Sequence, residues 1–144
     1  MAQAHGAIEN ALSLTLPSEN EERADPGTAD ERYGAAVIQL IAKTRDRRKF
    51  PLVFEENVNY GFRRNSLGLR GFGVAVCVVT LTLSGILLAC GSGTFVSRAG
   101  HFGWPAAASI LLGLFWLTVV DRNWVRVPAD AYAGRLIEAA YILS

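Results

Sequence analysis

The sequence is poor in the residues on which a secreted or metal-dependent domain of its size relies. Its two cysteines, Cys77 and Cys90, stand thirteen apart inside one apolar run. That excludes a disulfide framework and a cysteine-based zinc site. His5 and His101 are the only histidines and lie far from each other, so neither a catalytic pair nor a cofactor site is expected. No Asn-x-Ser/Thr acceptor occurs, and Met1–Asn20 lacks the basic-then-apolar pattern of a cleaved signal peptide. Charge is the scarcest commodity of all: there is no acid between Glu56 and Asp121, and no charged side chain from Gly71 to Ser97. Proton-coupled carriers, pumps and voltage sensors keep ionisable groups at membrane depth. A carrier mechanism of this chain alone is therefore not expected.

What is present is apolar and segregated. The chain is 51% hydrophobic, with a mean hydropathy of +0.24 and a formal charge of only +1. Near-neutrality conceals blocks. Residues 1–30 hold one base and six acids, 31–70 nine bases and four acids, 71–120 one base and no acid, and 121–144 three of each. Overall neutrality argues against a nucleic-acid partner.

The middle block predicts a transmembrane hairpin. Phe72–Cys90 is apolar or weakly polar throughout; its 19 residues would rise about 28 Å as a helix, close to the roughly 30 Å of a bilayer's hydrocarbon. Trp104–Val120 is a second run of 17, with Pro105 suited to a first helical turn. The glycine-rich connection Gly91–Gly103 reads as a tight turn outside the membrane. Two buried helices of a soluble bundle are the alternative, but apolar all-round helices need amphipathic partners, and residues 1–30 are too polar to supply them. Along the spans and into the turn Gly85, Ala89 and Gly93 recur four apart, as do Ser109 and Gly113; such small residues permit close helix packing or self-association. Thr80 and Ser84 are expected to bond back to their own helix.

The flanks set the orientation. Lys43, Arg45, Arg47, Arg48, Lys49, Arg63, Arg64 and Arg70 precede the first span, Arg98 alone lies in the turn, and Arg122, Arg126 and Arg135 follow the second. The positive-inside rule then puts both flanks in the cytoplasm. Arg47, Arg48, Lys49, Arg63, Arg64 and Arg70 are expected at lipid head groups, with Trp104 and Trp124 in the aromatic belt.

Residues 1–30, with net charge −5, read as a mobile tail. A helix is expected from Thr28, boxed by Glu31, to about Lys49, with Tyr33, Val37, Leu40 and Ile41 on one face. Phe54, Val58 and Phe62 form an aromatic stripe through 51–70, predicting an interfacial helix that acts as an elbow. Glu55, Glu56, Asn57 and Asn59 with Arg63 and Arg64 offer an alternative polar site, but hard metal ions need more oxygen ligands than these. After Pro128 a last helix carries Tyr132, Leu136, Ala140 and Leu143 on one face. It is expected to dock on the Tyr33–Ile41 helix.

The segment VFEENVNYGFRRNSLGLR followed by two apolar helices resembles small uncharacterised bacterial membrane proteins with two transmembrane helices, over residues 35–120. Twelve arginines against two lysines accord with a GC-rich bacterial genome. The resemblance implies an inner-membrane location but no activity and no catalytic residue. The sequence thus leads to an all-α membrane protein, a hairpin with amphipathic cytosolic and interfacial helices on both sides. Its expected role is non-enzymatic: an anchor or scaffold for a protein partner in the lipid bilayer. The competing expectation is a homo-oligomeric effector that permeabilises the membrane.

Overall fold

The computed structural model describes residues 2–90 and 94–144, and every regular element in them is an α-helix. In chain order these are α1 (Ala2–Leu12), α2 (Glu19–Ala24), α3 (Pro26–Lys43), α4 (Pro51–Cys90), α5 (Phe95–Thr118) and α6 (Arg122–Leu143). They form two compact units. One joins the chain up to Tyr60 with Val127–Ser144; the other is Gly61–Arg126.

The first unit has an apolar core drawn from four parts of the chain. Ala11, Leu12 and Leu16 come from the amino-terminal part, Ala36 and Leu40 from α3, Phe50 and Val53 from the start of α4, and Leu136, Ala139 and Ala140 from α6. Burial of each Leu contributes roughly 1.5–3 kcal/mol, so both ends of the chain hold this unit together. The C-terminal helix does share a core with Leu40. The α3 face differs in detail from the expected one: Ala29, Ala36 and Leu40 are buried, while Val37 and Ile41 are exposed.

The expected mobile tail is instead ordered. α1 offers Ala7, Ala11 and Leu12 on one face, and Leu16 follows them into the core. Leu12 closes the amphipathic face of α1, and Leu14 and Leu16 follow beyond the end of the helix. Ser13, at φ 54°, reverses the chain after α1, a conformation that glycine or asparagine adopts at lower cost. The segment is then tied down by Lys43 Nζ donating to Ala11 O (2.6 Å), Arg32 Nη2 to Thr15 O (2.9 Å) and Leu16 N to Glu9 Oε1 (2.8 Å). Capping also differs from expectation. The capping box is Ser18 with Glu21 at the head of α2, and α3 starts earlier, with Asp25 accepting from Thr28 N and Pro26 in the first turn. α3 stops at Lys43, where the Thr44 hydroxyl donates to Leu40 O.

α4 is the largest correction. The expected elbow and first span are one helix of 40 residues that rises about 60 Å. Pro51 begins it at a position that needs no N–H. The next proline is Pro105, and Gly61, Gly68, Gly71 and Gly73 each cost only about 1 kcal/mol in a helix. Nothing in the segment therefore forces a stop. α5 likewise starts at Phe95, capped by Thr94 accepting from Ser97 N, rather than at Trp104. Pro105 consequently lies inside the helix, and the expected turn narrows; its residues 91–93 are outside the described set. α6 begins at Arg122, before Pro128, because Asp121 Oδ1 accepts from Trp124 N (2.7 Å) and caps it; Asp130 is an interior residue.

Candidate membrane interface

Two helices, Pro51–Cys90 and Ala99–Thr118, are long and apolar enough to cross a membrane. A core helix of a soluble protein with this composition would be mostly buried. Here 11% of the most apolar window of α4 is buried, and 0% of that of α5. Phe72 is 71% exposed, Leu111 70% and Trp104 78%, among some fifteen large apolar side chains that these segments turn outward. Such a band far exceeds the ordinary apolar patch of a soluble monomer.

Inside the second unit the two apolar segments meet through small residues. Trp116 lies over Gly73, so that a Cβ at Gly73 would stand 2.6 Å from Trp116 Nε1; a Cβ at Gly113 would stand 3.7 Å from Cys77 Cβ, an ordinary contact. Arg70 Nη2 donates to Leu117 O at 3.1 Å. The pairs 70–117, 73–116 and 77–113 run in opposite directions along the two helices. Of the expected packing residues, Ser109 is buried and Gly113 lies at this contact. Gly85 and Ala89 are exposed, a Cβ on Gly85 would meet nothing within 4 Å, and Gly93 is outside the described residues. The α4 face in contact is that of Gly73 and Cys77 instead, and Ser84, on the same side, is buried. Its signal was present in the sequence, since positions 73, 77 and 84 fall on one side of a helix. Thr82 bonds back to Val78 O at 2.8 Å, the arrangement expected for Thr80 and Ser84.

A cation–aromatic cluster borders the apolar band. Arg63 Nη1 donates to Trp124 O (3.0 Å), and its guanidinium stands 5.0 Å from the centroid of the same indole. Phe62 and Phe115 each meet Trp124 edge-on at 6.4 Å. Arg63 and Trp124 were both expected at an interface; their partnership, and the roles of Phe62 and Phe115, are visible only in three dimensions. Arg64 is exposed beside Asn65, Gly68 and Leu69. In the first unit Arg47 stacks on Phe54 at 4.8 Å, and Arg48 N donates to Asp46 Oδ1 at 2.9 Å. Lys49 N donates to Asp46 O, and its side chain is exposed.

The polar alternative in α4 is dispersed. Glu55, Asn57 and Asn59 are exposed, while half-buried Glu56 lends a favourable charge to Arg135, whose main partner is Glu138 at 2.7 Å. Those contacts raise the Arg135 pKa. Among the described residues no three His, Cys, Asp or Glu side chains gather as metal ligands. Burial raises the pKa of Tyr132, which stacks on Tyr60 at 6.3 Å. Comparison with protein-family models, curated proteins and solved structures finds no match to this chain. Its functional reading therefore rests on the geometry alone.

Proposed function

We propose that the chain is a non-enzymatic integral-membrane anchor of the bacterial inner membrane: a two-helix hairpin that holds its small helical unit at the cytoplasmic face for a protein partner. The observation carrying this reading is that both flanks of the apolar band fold into one core, with Leu12 and Leu40 before the band and Leu136 and Ala140 after it. A chain whose flanks share a core must return to the side from which it left, so the apolar helices cross an even number of times. The antiparallel pairs between Arg70 and Leu117 support two crossings. Arginine at the flanks supports the cytoplasm as that side.

The test has two parts. After alkaline carbonate extraction the chain should remain in the membrane pellet, and single cysteines at positions 20 and 144 should react with an impermeant maleimide from the same side. Release into the supernatant, or labelling from opposite sides, would overturn the reading. Affinity capture of the full chain in mild detergent should then recover a stoichiometric second protein. Recovery of this chain alone, as an assembly of defined mass, favours the second reading, a homo-oligomeric permeabilising effector. Exposed Gly85 and Ala89, four apart on α4, support that alternative. It requires overexpression to collapse the membrane potential and Gly85→Leu to prevent the collapse.

A further inference from the structure

The first unit contains a cleft of about 560 Å³ between the end of α3, the 44–50 loop, the start of α4 and Tyr132 of α6. Its volume falls within the roughly 300–1,000 Å³ range of small-molecule sites. Ile38, Ile41 and Phe54 give it apolar walls; Arg45, Asn57 and the Tyr132 ring supply its polar edge. Among the described residues Arg45 is the only charged side chain lining it, and no carboxylate does. The loop beside it carries Arg45, Arg47, Arg48 and Lys49 against Asp46 alone, a balance of four minus one, and Asp46 Oδ1 already accepts from Arg48 N. Ile38 is nonetheless 69% exposed at the mouth. A soluble anion would satisfy the arginine and leave the isoleucines wet; an uncharged apolar ligand would cover the isoleucines and leave the charge unmet.

We infer that this cleft binds one anionic phospholipid, its phosphate on Arg45 with Asn57 as a second donor, and its upper acyl chain along Ile38, Ile41 and Phe54. The inference rests on the membrane-anchor reading for its lipid source. It concerns a different unit of the chain. Bound in this way, the lipid would link the helical unit to the lipid composition of the membrane.

Native mass spectrometry of the full chain in dodecyl maltoside tests the inference, with phosphatidylglycerol, phosphatidylcholine or inorganic phosphate as the added probe. One phosphatidylglycerol should be retained about tenfold more than phosphatidylcholine. Arg45→Glu should lower that retention by about tenfold, the value of one charge-assisted hydrogen bond. Arg23→Glu, exposed on α2 and not lining the cleft, should leave it unchanged. If Arg45→Glu loses far-UV helicity, exposed Asn57→Ala serves in its place, with an expected loss of about threefold. Equal retention by these cleft variants, equal retention of phosphatidylcholine, or complete displacement of the lipid by inorganic phosphate would each overturn the proposal. Failure of the anchor reading is separately visible as release by carbonate; a released chain that still retains phosphatidylglycerol would leave the cleft assignment standing.

Discussion

A methyl group added at Gly73 is the sharpest perturbation of the α4–α5 contact. It would stand 2.6 Å from Nε1 and 2.8 Å from Cδ2 of Trp116, so the indole must leave its place or the helices must separate. Overpacking of this kind costs roughly 1–3 kcal/mol. Opposing it, Gly→Ala within a helix gains about 0.5–1 kcal/mol. Gly85→Ala gains the same propensity but meets nothing within 4 Å, so the ratio of the two variants isolates the steric cost. Cys77 is 6% exposed at the same contact, and Cys90 is exposed. Maleimide labelling of Cys77 through transient opening, with Cys90 as internal reference, should therefore run about 5- to 150-fold faster in Gly73→Ala than in Gly85→Ala, at 1.4 kcal/mol per decade. A second change, Trp116→Leu, should restore most of the protection. Equal labelling in the two glycine variants would refute the packing of Trp116 on Gly73, and with it the antiparallel pairing of the two helices.

Leu40→Ala and Leu136→Ala should each cost about 2–5 kcal/mol in thermal unfolding of the full chain in detergent. Because the two residues share a core, the double variant should show coupling of about 0.5–3 kcal/mol; strict additivity would mean that α6 does not pack beside α3. The Glu21 pKa lies below its ordinary value, first through the Ser18 backbone N–H and then through the Ser18 hydroxyl; the Thr28 hydroxyl and then its N–H do the same for Asp25. A depressed folded-state value stabilises above the unfolded-state pKa and ceases to as pH falls through the folded-state one. Amide exchange at Ser18 and Thr28, whose N–H groups donate to these carboxylates, should therefore lose protection in acid. Glu21→Gln should remove that pH dependence at Ser18 alone, and an unchanged profile there would refute the capping role. Arg63→Ala should loosen Trp124, which loses a charged hydrogen-bond donor and a ring-facing cation. Collisional quenching of the indole should rise, and Arg63→Lys should restore it only in part, because a point charge lacks the planar fork. Quenching that is unchanged in Arg63→Ala would remove this pair from the interface.

The all-helical class and the two span-length apolar helices were legible because hydropathy and charge are local properties, readable one window at a time. Helix boundaries were less so. The elbow and the first span were separated at residue 70, where the charges end, yet a change of polarity does not itself end a helix, and residues 61–73 contain no proline to do so. The amino-terminal order was hidden for another reason: net charge averaged over residues 1–30 masks the Ala7, Ala11, Leu12 and Leu16 stripe, whose burial depends on α3 and α6 arriving beside it. Small residues posed the opposite difficulty. Two equally regular stripes occur on the apolar part of α4, through Gly85 and Ala89 and through Gly73 and Cys77, and only the position of Trp116 distinguishes them. The shared core is the property furthest from any local pattern, and it has the largest consequence. Leu40 and Leu136 can be buried together only if the intervening apolar helices bring the chain back, so folding of the polar unit and closure of the apolar pair are one condition. A variant that holds α4 and α5 apart should therefore weaken the core around Leu40 as well, although it touches none of its residues.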